Sequence, residues 1–243
     1  MYAILVKELN SFFASLTGLI AAIAFLVVNG LFMWVFPGEL NVIDGGYATL
    51  ETLFIIAPWV FLFLIPAITM RTLSEEKKSG TIELLLTRPI SDLHILAGKY
   101  LASIVLVLIT LLPALVFFVS VHLLGNPVGN IDSGATWGAL IGLFFLASGY
   151  IAIGIFASSV TDNQIIAFIL AIAISFFFYI GFESVASVPL FKNVEFTLTN
   201  LGVNEHYRSL SRGVIDSRDV IYFLSLSAFF LLLARLVLKS RKW

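Results

Sequence analysis

The stretch Leu73-Ser-Glu-Glu-Lys-Lys-Ser-Gly-Thr-Ile-Glu-Leu-Leu-Leu-Thr-Arg-Pro-Ile-Ser91 is the longest charged interruption in a strongly apolar chain. It separates two apolar segments, residues 50–70 and 100–124, each long enough to cross a bilayer, since about 20 helical residues span about 30 Å of hydrocarbon. A polar loop between two spans lies at the membrane surface, within reach of soluble partners. Ser74 can cap a short turn that carries Glu75 and Glu76 at its dipole-positive start. Gly80 can break that turn, Thr81 can restart a second one over residues 81–86, and Pro89 keeps it from continuing. The second turn would expose Ile82, Leu84, Leu85 and Leu86 beside Glu83, an apolar knob with a charged rim suited to a partner's groove. A solvated inter-helix loop with interfacial leucines explains the same residues.

Composition sets the class. The chain is 60% hydrophobic and 12% charged, with a mean hydropathy of +1.04, whereas soluble domains carry about 25% charged residues. It has no cysteine, which excludes disulfides, thiolate nucleophiles and zinc–thiolate sites. A net charge of −1 argues against nucleic acid as a partner.

Periodicity predicts an all-α polytopic membrane protein, read as a single transmembrane domain over residues 1–243. Six spans are expected near residues 16–36, 50–70, 100–124, 136–158, 164–182 and 220–238, with Pro66 and Pro113 inside the second and third. Residues 1–13 place Tyr2, Leu5, Val6, Leu9, Phe12 and Phe13 at helical spacing, with Lys7, Glu8 and Asn10 on the other side. That pattern suits an amphipathic helix lying in the interface, or else an extension of the first span. Lys7, the loop holding Arg71, Lys77, Lys78, Arg88 and Lys99, and the tail holding Arg235, Lys239, Arg241 and Lys242 concentrate positive charge on one side. The positive-inside rule makes that side cytoplasmic, with both termini on it.

Two further connections carry polar groups. The tight turn 158–164 includes Thr161, Asp162, Asn163 and Gln164, of which Asp162 and Asn163 offer helix-cap chemistry. The longest outer connection, 183–219, can form a short helix over 204–212 ended by Gly213, with Asp216 and Asp219 available to cap the last span. Tyr207, Leu210 and their apolar neighbours would let it lie on the membrane or plug between helices, as an interfacial linker or as a gate formed with Arg212 and the residues just named. His206 beside Glu205 reads as polar decoration.

The run Glu75-Glu76-Lys77-Lys78-Ser79-Gly80-Thr81-Ile82-Glu83-Leu84-Leu85-Leu86-Thr87-Arg88-Pro89-Ile90-Ser91, followed by Gly98-Lys99, resembles the signature of ABC-2-type transporter permeases. The resemblance implies that residues 71–99 hold a cytoplasmic coupling helix seated on a separate ATPase subunit, and that residues 1–13 form an interfacial elbow helix. It makes 158–164 a second cytoplasmic loop on the same face. Residues 208–213 and 214–222 are similar to a narrower branch, permease subunits associated with bacterial gliding motility. That likeness implies a bacterial inner-membrane location and a second permease subunit, larger and with an outer-side domain, or else a second copy of this chain.

The chemistry that is missing narrows the field. No Gly-x-x-x-x-Gly-Lys-Ser/Thr loop occurs, so ATP, if used, is hydrolysed by a partner, and no cofactor is expected. Nor is there a His-Glu-x-x-His pattern, and the serines lack a membrane histidine partner, so no catalytic residue is assigned. Carriers driven by ions usually keep a carboxylate or His at membrane depth; only His122, near a span end, comes close. The leading reading is an export permease coupled to a separate ATPase, with membrane lipid around it. A structural anchor of a motility or secretion complex and an ion-coupled carrier are the alternatives.

Overall fold

The structure, a computed structural model, describes residues 2–13, 16–82 and 91–240. Among them it is helical, without a strand. Helix α1 (Tyr2–Phe13) precedes α2 (Leu16–Gly30), which runs on into a wide turn, Leu31–Val35. A short α3 (Val42–Gly45) leads to α4 (Glu51–Thr69), and α5 (Arg71–Lys78) follows after the single residue Met70. Helix α6 (Asp92–Leu111) is separated from α7 (Leu115–Leu124) by one tight turn, Leu112–Ala114. Then come α8 (Ser133–Val160), α9 (Gln164–Phe176), α10 (Phe182–Ala186), α11 (Glu195–Thr199), α12 (Val203–Ser211) and α13 (Ser217–Lys239).

The chain runs up and down the bundle. One end gathers α1, α5 and the α8–α9 turn; the other gathers α3, α10, α11 and α12. Among the described residues, five helical segments are long and apolar enough to cross a membrane: Glu51–Lys78, Asp92–Leu124, Ser133–Val160, Gln164–Ala186 and Ser217–Lys239. The first apolar segment is described as a shorter apolar helix over Ile20–Val35. The third expected span therefore starts earlier than hydropathy suggests: α6 begins at Asp92, so Lys99 is two turns inside a helix rather than in a loop.

Helix α8 is the axis. Asp132 caps it, its carboxylate accepting from the Ala135 amide at 2.9 Å, and it packs against α4, α5, α6, α9, α12 and α13. Tyr150, Ile151, Ala152, Ile153 and Ile155 are all fully buried, as expected of a helix apolar on every side. Lipid tails are as apolar as leucine, so burial by itself drives little helix association in a bilayer; close packing and interhelical hydrogen bonds do. Close packing is visible where Gly154 meets α4: a Cβ there would sit 2.0 Å from Thr69 Oγ1. Large apolar side chains such as Ile23, Phe63, Leu112, Val116, Ile169 and Leu232 face outward, giving the bundle a lipid-compatible surface.

Proline shapes α4. Pro58 and Pro66 both lie within it, and each removes a donor from the helix ladder. The sequence predicts a kink only at Pro66. Pro113, the other expected interruption, sits in the tight turn between α6 and α7.

Candidate functional site

At the α5 end, the α4–α5 break would leave the first amides of α5 without acceptors. A side chain from another helix supplies one. Ser158 Oγ, near the end of α8, accepts from both the Leu73 and Ser74 amides at 3.0 Å and donates to the Met70 carbonyl at 2.9 Å. The Lys77 ammonium adds a hydrogen bond to the Ser159 carbonyl. Ser74, expected to cap this turn, is instead buried inside α5 and donates back to the Met70 carbonyl. The cap role thus passes to Ser158, because a residue already within the helix cannot cap its own first turn.

A buried charge cluster fixes the other side of α5. Lys99 is fully buried. Its ammonium lies 2.8 Å from Glu8 Oε1 and 2.9 Å from Glu76 Oε2, and it also donates to the Thr72 carbonyl. Glu76 Oε1 in turn accepts from Lys7 at 2.7 Å. Burial disfavours the Lys7 ammonium, but the hydrogen bond and charge of Glu76, with Glu8 and Glu75 nearby, outweigh it and raise its pKa above the usual lysine value. Four residues from α1, α5 and α6 therefore form one ionic clasp, beside a cavity of about 300 Å³ lined by Arg71, Glu75 and Ser103 among others.

The expected coupling residues separate by position. Glu75 is exposed on α5, whereas Glu76 is turned inward into the clasp. Gly80 does break the helix, at φ +70°, and Thr81 and Ile82 open the next helical turn with Ile82 buried. Glu83, Leu84, Leu85, Leu86 and Pro89 lie outside the described residues. In the neighbouring turn, Asn163 caps α9 through Ile165 and Ile166, and Thr161 accepts from the Asn163 amide. Asp162 is exposed and Gln164 is the first residue of α9.

At the opposite end, α12 is wedged against α4 and α8. Pro58 cannot donate to the Phe54 carbonyl, four residues earlier, and the buried Tyr207 hydroxyl does so instead at 2.8 Å. Burial pushes the Tyr207 phenol well above the usual tyrosine range, so it stays a donor. Gly213, at φ +83°, ends the segment where a Cβ would come within 2.4 Å of the Ala135 backbone. Arg212 is the residue just before it and is exposed. Asp216 caps α13 by accepting from the Arg218 amide.

Asp219 does something else. Its carboxylate meets His206 Nδ1 at 2.7 Å, while His206 Nε2 lies 2.9 Å from the Asn200 carbonyl and the ring stacks on Tyr222 with centroids 3.9 Å apart. A carbonyl only accepts, so Nε2 carries a hydrogen. His206 is therefore a structural bridge between the far-end loop and α13, not polar decoration. Neither this bridge nor the Lys99 clasp is visible in the sequence, since each joins residues far apart in the chain. A Glu next to a Lys in α1, and a Lys just inside an apolar helix, are the only local hints.

Multiple apolar helices around a buried axis, with a polar helix braced against one end, define a polytopic membrane protein whose surface element is mechanically joined to its core. The family described as "ABC-2 family transporter protein" matches residues 2–238, and the chain belongs to that family. It is thus an integral, multi-pass membrane component of an ABC transporter. No curated protein matches the chain.

Proposed function

We propose that this chain is the permease subunit of an ATP-driven exporter, and that α5 and the turn after Gly80 receive the force from a separate ATPase subunit. The observation that carries this reading is the two-sided bracing of α5: Ser158 fastens it to α8 and the Lys99 clasp fastens it to α1 and α6. A push on a helix held in this way moves the bundle's axis instead of bending a loop. Alternating access requires such a rigid lever acting on a helix interface with two arrangements.

In this reading the chain has six spans, both termini and α5 lie in the cytoplasm, and the membrane is the bacterial inner membrane. ATP hydrolysis resides in the partner. A second permease, either a larger subunit with an outer-side domain or another copy of this chain, completes the pathway, and the cargo movement supports gliding motility. Exposed Glu75, with the leucines that follow Gly80, contacts the ATPase; Glu76 acts through the clasp. Tyr207, Arg212, Gly213, Asp216 and Asp219 belong to an outer element that moves when the far end opens.

Photo-crosslinking tests this directly. A benzophenone residue at Ser79 should form an adduct with an ATPase subunit in native membranes, and one at Asp132 should not. Capture of the ATPase from Asp132 but not from Ser79 would place the lever at the wrong end.

A further inference from the structure

We propose a binding site for an anionic phospholipid-like amphiphile at the α12 end, with its phosphate on Arg208 and Arg212 and its tail along α4. The two arginines are four residues apart in and just after α12, and so share a face. Both line a cavity of about 440 Å³ with Phe54, Ile55 and Glu51. Among the described residues neither guanidinium has an acceptor or a carboxylate partner.

The carboxylates around the mouth are differently placed. Asp132 accepts from the Ala135 amide and Glu183 from the Asn204 side chain. Glu51 stands in the first turn of α4, where the helix dipole favours negative charge. Among the described residues, two unpaired guanidiniums against the one unpaired carboxylate of Glu51 leave this mouth with an excess of cationic donors. Paired guanidiniums match a phosphate through parallel N–H···O bonds.

What lies below the mouth selects a tail. Arg208 also borders a second cavity, of about 610 Å³, which includes Ile55 and Trp59. Trp59 is shared with a third, of about 690 Å³, walled almost entirely by apolar side chains of α2, α4 and α9 such as Ala24, Phe63 and Phe168. Ile55, Trp59 and Phe63, at successive i, i+4 positions, are exposed on this face of α4. From Ile55 to Leu64 the helix rises roughly 14 Å, close to the roughly 15 Å of one leaflet. A charged head with one leaflet's length of apolar trough beneath it is the negative image of a phospholipid. The site is independent of whether the chain transports anything, because it is read from binding alone.

The test is native mass spectrometry of the purified full chain, with phosphatidylglycerol or diacylglycerol of the same acyl chains added, and with inorganic phosphate as a separate probe. Phosphatidylglycerol should be retained about tenfold over diacylglycerol, which lacks the phosphate, the scale of a charge-assisted hydrogen bond, and the double variant Arg208→Gln/Arg212→Gln should abolish that preference. Among the described residues these side chains hold no hydrogen bond or ion pair, so the variant should melt like the native chain. Arg218→Gln, a change of the same type away from the mouth, should leave the preference intact. Equal retention of the two lipids, or a preference that survives the double variant, overturns the proposal. So does binding of inorganic phosphate alone without lipid, or dimerisation of the chain that covers the trough and leaves no lipid bound.

Discussion

Lys99→Met should be the most damaging single change at the α5 end. It keeps the apolar stem and removes the ammonium that is fully buried between Glu8 and Glu76. Two carboxylates then face each other, with only Lys7, which is half-exposed, left to compensate. Breaking a buried pair by deleting one partner costs about 3–5 kcal/mol, because a desolvated charge is left alone. At about 2–4 °C per kcal/mol for a chain of this size, the melting midpoint in detergent should fall by roughly 6–20 °C. The triple variant Glu8→Gln/Glu76→Gln/Lys99→Met, which removes the orphaned charges as well, should recover most of that loss, since a neutral replacement of a buried ionic cluster is often tolerated. Fluorescence-detected size-exclusion after a temperature series reads both. If Lys99→Met melts with the native chain, or if the triple variant is as unstable as the single one, the clasp does not hold α1, α5 and α6 together.

Other consequences follow from particular contacts. Tyr207→Phe leaves the Phe54 carbonyl, already deprived of a donor by Pro58, without a partner; it should cost about 1–3 kcal/mol and lower the melting midpoint. Ser158→Ala removes the acceptor for two amides, and hydrogen exchange at Leu73 and Ser74 should accelerate while α8 stays protected. Gly154→Ala forces a methyl group against Thr69 and should destabilise the chain by about 1–3 kcal/mol, with partial recovery on adding Thr69→Ala, which removes the nearer atom. For Lys7, the folded-state pKa is raised above 10.5. Its contribution is therefore fully present below pH 10.5 and lost as pH rises through the higher folded value. Protease access to α1 should increase only in that alkaline range, and Lys7→Met should remove the pH dependence. Cysteine placed at Ser79 should react with impermeant reagents only from the cytoplasm, and at Asp132 only from outside.

The sequence made the helical class and most of the helix boundaries legible because both depend on local information. Runs of apolar residues, the break at Gly80, the cap by Asn163 and the stop at Gly213 each arise from a few neighbouring residues, and the structure has all four. Relationships between distant residues were not legible. Ser158 looked like part of a turn, yet it caps a helix that begins 87 positions earlier, at Arg71. The sequence places Glu75 and Glu76 together at the start of a turn; only the arrangement of α1 and α6 shows that Glu76 turns inward while Glu75 faces out. Pro58 interrupts the α4 ladder, and its replacement donor, Tyr207, lies too far along the chain for any local pattern to show the pairing. His206 and Asp219 similarly meet across 13 positions and a turn. Hydropathy marked the start of the third span at Tyr100 because Lys99 carries a charge; its partners let the helix extend back to Asp92.

Purifying the native chain and Leu85→Asp in mild detergent and measuring co-purifying ATP hydrolysis tests whether an ATPase subunit drives this chain through the segment after Gly80. A charge at an apolar docking knob should cost about 2 kcal/mol or more of binding, roughly thirtyfold. The native chain should bring down a magnesium-dependent ATPase, and Leu85→Asp should lose it while inserting and melting normally. ATP hydrolysis that co-purifies undiminished with Leu85→Asp would contradict that coupling.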